Sequence, residues 1–464
     1  MPLLSALLLT TILHGEKGAG FADLIVPPSI QLGDRVANGN ASVVVLWQTT
    51  DADHPYALKF SQGSGNKTAP STFRKISADV AGVEPHRVYS AVLKGYKPGK
   101  KIDYTLDSDG SVLFKGSFMA PKSDKQDYTF AVFGDCGCGE PPQAKIAYQT
   151  YQAKPDLLLL TGDLVYNRGL IREYRKNFYP FYIPEVASEK NGAPILSSML
   201  IAAAPGNHDI LNRELNQNPD SLAYFFYWNQ PLNGPLTDIG NPSTPTLTGT
   251  EERQKAFLAN AGSNYPRMAN FSFDYGNAHI TALDANPYVK WDDPALRNWL
   301  REDLKKAAGK TWRFVMFHQP GFHSSNSHQG EKQMRQVADL FEEGKVDVVF
   351  AGHVHNYQRS HPIQVGSKAG ASITDLAADD WAVDKSFDGV KNTRPKGVVY
   401  IVSGAGGNDL YNTELNGKPE LWKPFQAQYV ADWSFSLIDM KGRRFMLRQI
   451  DKDGKEVDRI TIEK

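Results

Sequence analysis

Leu157-Leu158-Leu159-Leu160-Thr161-Gly162-Asp163-Leu164-Val165-Tyr166 is the stretch whose reading decides the fold. Four consecutive leucines suit a strand buried on both faces, the signature of a parallel sheet. A carboxylate stands where that strand stops, and a tyrosine follows three residues later. Four more apolar runs end in the same way. Residues 130–133 run into Gly134-Asp135, and residues 199–204 lead through Pro205 into Gly206-Asn207-His208-Asp209. Residues 312–317 end at His318, and residues 346–351 end at Gly352-His353-Val354-His355. In open α/β sheets ligands bind outside the carboxyl ends of the strands. Five strands would therefore carry Asp135, Asp163, Tyr166, Asn207, His318, His353 and His355 to one place. A donor set of that size and kind suits metal, and more than one ion.

Length and composition frame this site. A chain of 464 residues is long for one core, so two domains are expected. A balance of 51 basic against 51 acidic residues argues against a nucleic-acid footprint or a polybasic membrane surface. Cys136 and Cys138, separated by one residue, cannot build a disulfide framework. Residues 3–13 are apolar but too few to span a bilayer. Gly20-Phe21-Ala22 places small residues where a signal peptidase reads. A signal peptide over 1–22 is expected, despite an n-region without Lys or Arg, and with it a secreted or periplasmic location. No later segment is long and apolar enough for a membrane span. Sequons at Asn40, Asn66 and Asn270 would matter only in a glycosylating host.

From about 25 to 121 the pattern is β throughout. About seven short strand-like runs, such as 42–48, 56–60, 88–93, 102–106 and 112–118, alternate with Gly, Pro, Asp and Asn clusters. That is the expectation for a β-sandwich. Residues 89–106, where Gly95-Tyr96-Lys97-Pro98-Gly99 leads into a tyrosine-bearing strand, resemble a fibronectin type III domain. That family's corner tyrosine would fall near Ile102 rather than at Tyr104, so its corner bond does not follow. His54 and His86 read as polar-loop histidines without a role. The polar joint 122–127 sets the expected domains at 23–122 and 123–464.

Beyond the joint, strands alternate with amphipathic helices expected at 143–152, 294–308 and 332–343, which implies βαβ units and a largely parallel central sheet. A hairpin turns at Gly276-Asn277, and residues 433–462 form further strands turning at Lys441-Gly442 and Asp453-Gly454. The long stretch 210–268, with Tyr224-Phe225-Phe226-Tyr227-Trp228 in it, fits a lid or surface packing equally. The aromatic stretch 422–429 could play the same part. The fold class expected is an N-terminal all-β sandwich followed by an α/β (α+β) domain whose central βαβ-type sheets form a sandwich.

Asp135-Cys136-Gly137, Gly162-Asp163-Leu164-Val165-Tyr166, Gly206-Asn207-His208-Asp209, His318 and Gly352-His353-Val354-His355 resemble, in order, the five motif blocks of the purple acid phosphatases, within the calcineurin-like metallophosphoesterases. The resemblance covers the whole second half, and the preceding sandwich fits the larger members. It implies Asp135, Tyr166 and His355 on an Fe(III), Asp163 bridging, and Asn207, His318 and His353 on a divalent neighbour, zinc, iron or manganese. Hard trivalent iron prefers such oxygen donors. Two carboxylates and one tyrosinate would leave a five-positive pair with about two units of excess charge to attract a phosphate ester. The implied activity is an acid phosphatase acting on small-molecule phosphate monoesters, with metal-bound hydroxide attacking phosphorus at acid pH. Related phosphoesterases carry Asp-x-His in the first block. Here Gly137 stands at that histidine's place and Tyr166 appears in the second block, which favours the purple subtype.

His208, next to a ligand, is placed to reach phosphate oxygens, with Asp209 holding its tautomer. In the family a histidine pair in the loop after His318 contacts phosphate and protonates the leaving group. His323 and His328 are the candidates here, His328 ahead of His323. His279 and His361 read as structural, and Cys136 and Cys138 as buried free thiols. Gly404-Ala405-Gly406-Gly407-Asn408 lacks the P-loop lysine and reads as a close backbone approach to the site floor. Two rivals stand beside this reading: a phosphodiesterase or nucleotide-sugar pyrophosphatase on the same metals, and a binding module with a vestigial site. The sequence is silent on the oligomeric state.

Overall fold

Alternating buried and half-exposed side chains lay down the N-terminal strands, as in Tyr56–Ser61, where Tyr56, Leu58 and Phe60 point inward. A computed structural model of the chain describes residues 23–37, 40–63, 65–78, 82–235, 241, 243–366 and 381–464. The expected signal segment 1–22 and part of the 210–268 stretch lie outside them. Eight strands form the first unit: β1 (Leu24–Ala37), β2 (Asn40–Thr50), β3 (Tyr56–Ser61), β4 (Asn66–Ala69), β5 (Ser71–Ile76), β6 (His86–Leu93), β7 (Lys101–Ser108) and β8 (Ser111–Met119). They pair antiparallel as two sheets, β1-β2-β6-β5 and β4-β3-β7-β8. Trp47 stacks on Tyr89 at 5.2 Å between them. This is a β-sandwich.

The second unit begins after residue 127. Its strands are β9 (Tyr128–Phe133), β10 (Leu157–Leu160), β11 (Leu200–Ala203), β12 (Phe271–Tyr275), β13 (Ala278–Ala282), β14 (Trp312–Met316), β15 (Val348–Ala351), β16 (Tyr357–Ser360), β17 (Ile363–Gln364), β18 (Ala382–Val383), β19 (Val399–Ser403), β20 (Gln426–Val430), β21 (Ser434–Lys441), β22 (Arg444–Asp451) and β23 (Glu456–Glu463). One sheet runs β23-β22-β21-β9-β10-β11, parallel only across β9-β10-β11. The other runs β12-β13-β14-β15-β19-β16-β20, parallel from β13 to β19. The parallel centre is therefore split between two mixed sheets, each flanked by antiparallel strands. Their inner faces share one core, in which Phe130 meets Phe314 and Phe350.

Helices cover the outer faces. Residues Pro141–Ala153 and Pro294–Lys306 form α-helices close to their expected spans. The third expected helix is broken: Gln333–Val337 is a 3-10 turn and only Ala338–Glu343 is α-helical. Met334, Val337, Ala338 and Phe341 still bury the face their spacing predicts.

The sandwich is bonded tightly to the second unit. Tyr104 donates its hydroxyl across the boundary to Ser197 O at 2.7 Å, rather than to its own upstream backbone. The Arg74 guanidinium donates to Phe226 O at 2.8 Å and to Asn260 O at 3.1 Å. Residues Tyr224–Tyr227 form a buried helical turn against the sandwich, so this part of the 210–268 stretch is packing. His86 is fully buried, with Nε2 2.8 Å from the Tyr227 hydroxyl, so it is a joint between the units and not a loop residue. Asn270 is also buried and accepts from Asp284 N, which leaves the sequon at that position without an accessible side chain.

Candidate metal centre

The donors stand just past the carboxyl ends of five parallel strands, three from one sheet and two from the other. Asp135 follows β9, Asp163 follows β10 and Asn207 follows β11; His318 follows β14, while His353 and His355 follow β15. The site thus sits where the strand ends of both sheets meet. Asp135, Asp163 and His353 have φ of 59°, 49° and 68°. Left-handed backbone at a non-glycine residue costs free energy, and such positions cluster at functional sites.

Two loops lie flat against each other. Asp135 N donates to Gly162 O at 3.0 Å, Cys136 N to Asp163 O at 3.1 Å, and Tyr166 N to Gly137 O at 3.0 Å. A Cβ on Gly137 would stand 1.8 Å from Leu164 O, so only glycine permits this contact. Gly206 is pressed in the same way, since its Cβ would stand 2.2 Å from Asp163 Oδ1. The stacking carries the Tyr166 phenol oxygen to 3.2 Å from Asp135 Oδ1 and 3.3 Å from His355 Nε2.

The other donors close the group. His318 Nε2 lies 3.0 Å from Asn207 Oδ1, 3.1 Å from Asp163 Oδ2, 3.2 Å from His353 Nδ1 and 3.9 Å from Asp135 Oδ1. His355 Nε2 is 3.4 Å from Asp135 Oδ1. All seven predicted ligands are thus brought together, and all but Asn207 are buried.

Their tautomers test whether metal fits. His318 Nδ1 lies 2.8 Å from Thr161 O, and His355 Nδ1 lies 2.6 Å from Asp409 O. A carbonyl can only accept, so each Nδ1 carries a proton, and in the neutral imidazole each Nε2 turns a lone pair inward. Those lone pairs meet carboxylate and amide oxygens, acceptor against acceptor, in a buried space. Positive charge is required there. Burial disfavours a protonated His318, yet Asp163 and Asp135 outweigh it and push the imidazole up to about 10. Metal cations answer the same demand, and Asp163, His318 and His353 lie close enough together to hold one. Burial, with Asp135 and Asp163 beside it, pushes the Tyr166 phenol well above its ordinary value. A strong Lewis acid on the oxygen would reverse that.

Around the donors, His208 Nδ1 is 2.8 Å from Asn167 O, and its ring packs 4.5 Å from that of Tyr166. Asp209 does not hold it. The Asp209 carboxylate accepts instead from Gly206 N at 2.7 Å and Leu164 N at 3.1 Å, tying two site loops together. His328 stands over the centre, its ring 4.0 Å from that of His353. His323 makes no hydrogen bond or ion pair to any of the seven donors among the described residues, and its side chain is buried. Cys136 is buried and Cys138 partly so, both free, and burial raises both thiols. The glycine-rich run does approach the floor: Asn408 N donates to Asp135 O at 3.2 Å.

Two residues were not foreseen. Glu331 lies 2.8 Å from His328 Nδ1 and 2.9 Å from His353 Nε2, joining the two rings. Its carboxyl is held well below the usual range because the two histidines outweigh its burial. Tyr411 stacks on His355 at 4.0 Å, with an interplanar angle of 13°. The i,i+3 spacing of His328 and Glu331 was the one available signal for the first; nothing local marks the second.

Residues 128–357 match the calcineurin-like phosphoesterase family. A mouse relative, acid phosphatase type 7, is 24% identical over 481 aligned positions that cover 97% of this chain and 93% of that protein. Purple acid phosphatase 21 of Arabidopsis thaliana is 25% identical over 336 positions, 69% of this chain and 59% of its own. Among solved structures, a purple acid phosphatase from yellow lupin seeds superposes with a TM-score of 0.65 at 16% identity, over 94% of this chain and 74% of that one. Residues 128–357 are a calcineurin-like metallophosphoesterase domain, and the chain is a homologue of the purple acid phosphatases.

Proposed function

We propose that this protein is an acid phosphatase that hydrolyses small-molecule phosphate monoesters at a mixed-valence Fe(III)–M(II) centre, where M is zinc, iron or manganese. One observation carries the reading. The Tyr166 phenol is delivered to Asp135 and His355 by a loop that packs on Gly137, at the position where a histidine ligand would have to stand. Asp135, Tyr166 and His355 would hold the trivalent ion, Asp163 would bridge, and Asn207, His318 and His353 would hold the divalent one. Bound there, the pair would supply Lewis acidity toward the phosphoryl oxygens and acidify water in mildly acid solution.

The chain's own residues do the rest. His208 spends Nδ1–H on Asn167 O, which leaves Nε2, 3.9 Å from Asp163 Oδ2, free to meet a phosphoryl oxygen. His328 is oriented by Glu331 through Nδ1, so Nε2 can pass a proton to the departing alkoxide. The apolar residues 3–13 would direct export, and a mature N-terminus beginning after residue 22 would bear that out.

The visible absorption spectrum, with metal analysis on the same sample, tests the assignment. A charge-transfer band lost in Tyr166→Phe, with two metals per chain, is the expected result. A colourless protein with two divalent ions would overturn the iron–tyrosinate reading. Rates on a monoester and a diester then decide the substrate class, with the monoester expected to be faster.

A further inference from the structure

A small cavity of about 70 Å³ is lined by His323, Gln329, Lys332, Arg335, Lys423 and Phe425. The turn that carries His328 and Glu331 toward His353 presents Gln329 and Lys332 to this cavity. Three cations crowd it, and among the described residues none of them has a carboxylate partner. Arg335 is fixed in place, its Nε donating to Gly321 O at 2.6 Å and its guanidinium 4.8 Å from the Phe322 ring. Burial, Arg335 and Lys423 all lower the Lys332 ammonium, and burial lowers Arg335 to about 10. The nearest acid in sequence, Glu331, is spent on His328 and His353.

His323 supplies an independent sign. It is 6% exposed, and its Nδ1 is buried without a hydrogen-bond partner among the described residues. A polar atom left without a partner in a wall of cations that lack carboxylate partners among the described residues is costly unless something is bound. The volume admits a few waters, hence one small tetrahedral oxyanion, and no ring. Gln329 and Lys423 are exposed, so the cavity opens to solvent.

We propose that His323, Gln329, Lys332, Arg335 and Lys423 form a phosphate-sized oxyanion site beside the metal centre, which takes a second phosphate of the substrate. The substrate class becomes small molecules bearing two phosphates, one for the metals and one for this cavity. That substrate role rests on the phosphatase reading above; the oxyanion site itself does not. It also reassigns His323 from proton donor to anion holder.

Calorimetric titration with inorganic phosphate tests the site directly. The metal-loaded protein should bind two phosphates per chain, and Lys332→Ala/Lys423→Ala, whose side chains are not buried, should bind one. Asp163→Ala should lose the other and keep this one. A double variant that still binds both phosphates overturns the proposal, whether or not Asp163→Ala folds. Kinetics then identify the source of the anion. With a sugar bisphosphate, kcat/KM should fall about tenfold or more in the double lysine variant, while p-nitrophenyl phosphate changes by no more than about twofold. Loss of the second phosphate with neither rate changed would mean that the site takes free phosphate, which overturns the substrate role. If the native protein hydrolyses neither ester, the phosphatase reading fails, and the phosphate stoichiometry still decides the site.

Discussion

Two clusters of histidine and aspartate lie in the same domain and settle their charges in opposite ways. His279 sits between Asp274 and Asp303, with Nδ1 2.7 Å from one carboxylate and Nε2 3.1 Å from the other. Asp303 also accepts from the hydroxyls of Ser272 and Thr281, and Lys310 approaches Asp274 at 3.2 Å. Every donor there has an acceptor. At the candidate metal centre His318 and His355 spend their N–H groups on backbone carbonyls and turn lone pairs onto oxygens. Both clusters set imidazole rings against buried carboxylates. At His279 both ring nitrogens face carboxylates, whereas at the candidate centre one N–H of each ring is fixed on a backbone carbonyl and the other nitrogen is left for a second proton or a metal.

Removing one carboxylate from each cluster should break them differently. Asp163→Ala takes away the carboxylate proposed to bridge two ions, so both metals and turnover should be lost, with activity down by at least about 10³-fold. Metal analysis and a phosphatase assay check this, and retained activity with two metals would sink the centre as described. His279→Ala should instead leave metal content and activity per folded molecule intact. It should cost about 3–5 kcal/mol of stability, because two buried carboxylates lose their cation.

The ion pair also has a pH signature. Burial works against the imidazolium, but Asp274 and Asp303 outweigh it and push His279 up to about 9. A folded value above the unfolded one means that the stabilisation is complete below about 6.5 and disappears as pH rises through about 9. Denaturant midpoints from about pH 6 to 10 should therefore fall in the native protein more steeply than in His279→Gln. Parallel curves would show that the pair does not hold a proton as described.

Glu331→Gln sharpens the comparison from the metal side. Its carboxylate orients His328 and His353 from outside the donor set, and the loss of such a partner typically costs about 10–100-fold in metal affinity or activity. Dialysis against a chelator separates the two: faster metal loss points to His353, and a lower kcat at full occupancy points to His328. Unchanged kcat and unchanged retention would leave Glu331 without a role.

Glu331 also marks the limit of what could be read from the chain alone. The donors were legible because each follows an apolar strand, a pattern in which burial and position repeat five times. Glu331 lies in a polar turn where carboxylates are common, and only folding brings it to His353. Tyr411 comes from a loop far downstream and is aimed by its stacking on His355, which no local pattern encodes. The same reason explains why the helix expected over 332–343 breaks: its apolar spacing is right, but its first turn is pulled into 3-10 form while Arg335 anchors to Gly321 O. Likewise Tyr104 and His86 looked idle because their partners, Ser197 and Tyr227, lie in the other unit.

His86 gives the smallest effect and a third way of settling charge. Its Nδ1 lies 3.1 Å from Glu84 O and so carries the proton, while Nε2 accepts from Tyr227; the ring is neutral, and burial pushes it down to about 4. A folded value below the unfolded one means that its contribution is complete above about 6.5 and is lost as pH falls toward 4. At about pH 5.5 the loss is about 1 kcal/mol. His86→Gln keeps an acceptor for the tyrosine and cannot titrate, so the Tm advantage of the native protein should shrink between about pH 7.5 and 5.5. A constant gap would mean that this joint is indifferent to acid. A shrinking gap would place the acid limit of the protein at the seam between its two units, away from the metals that would set its activity.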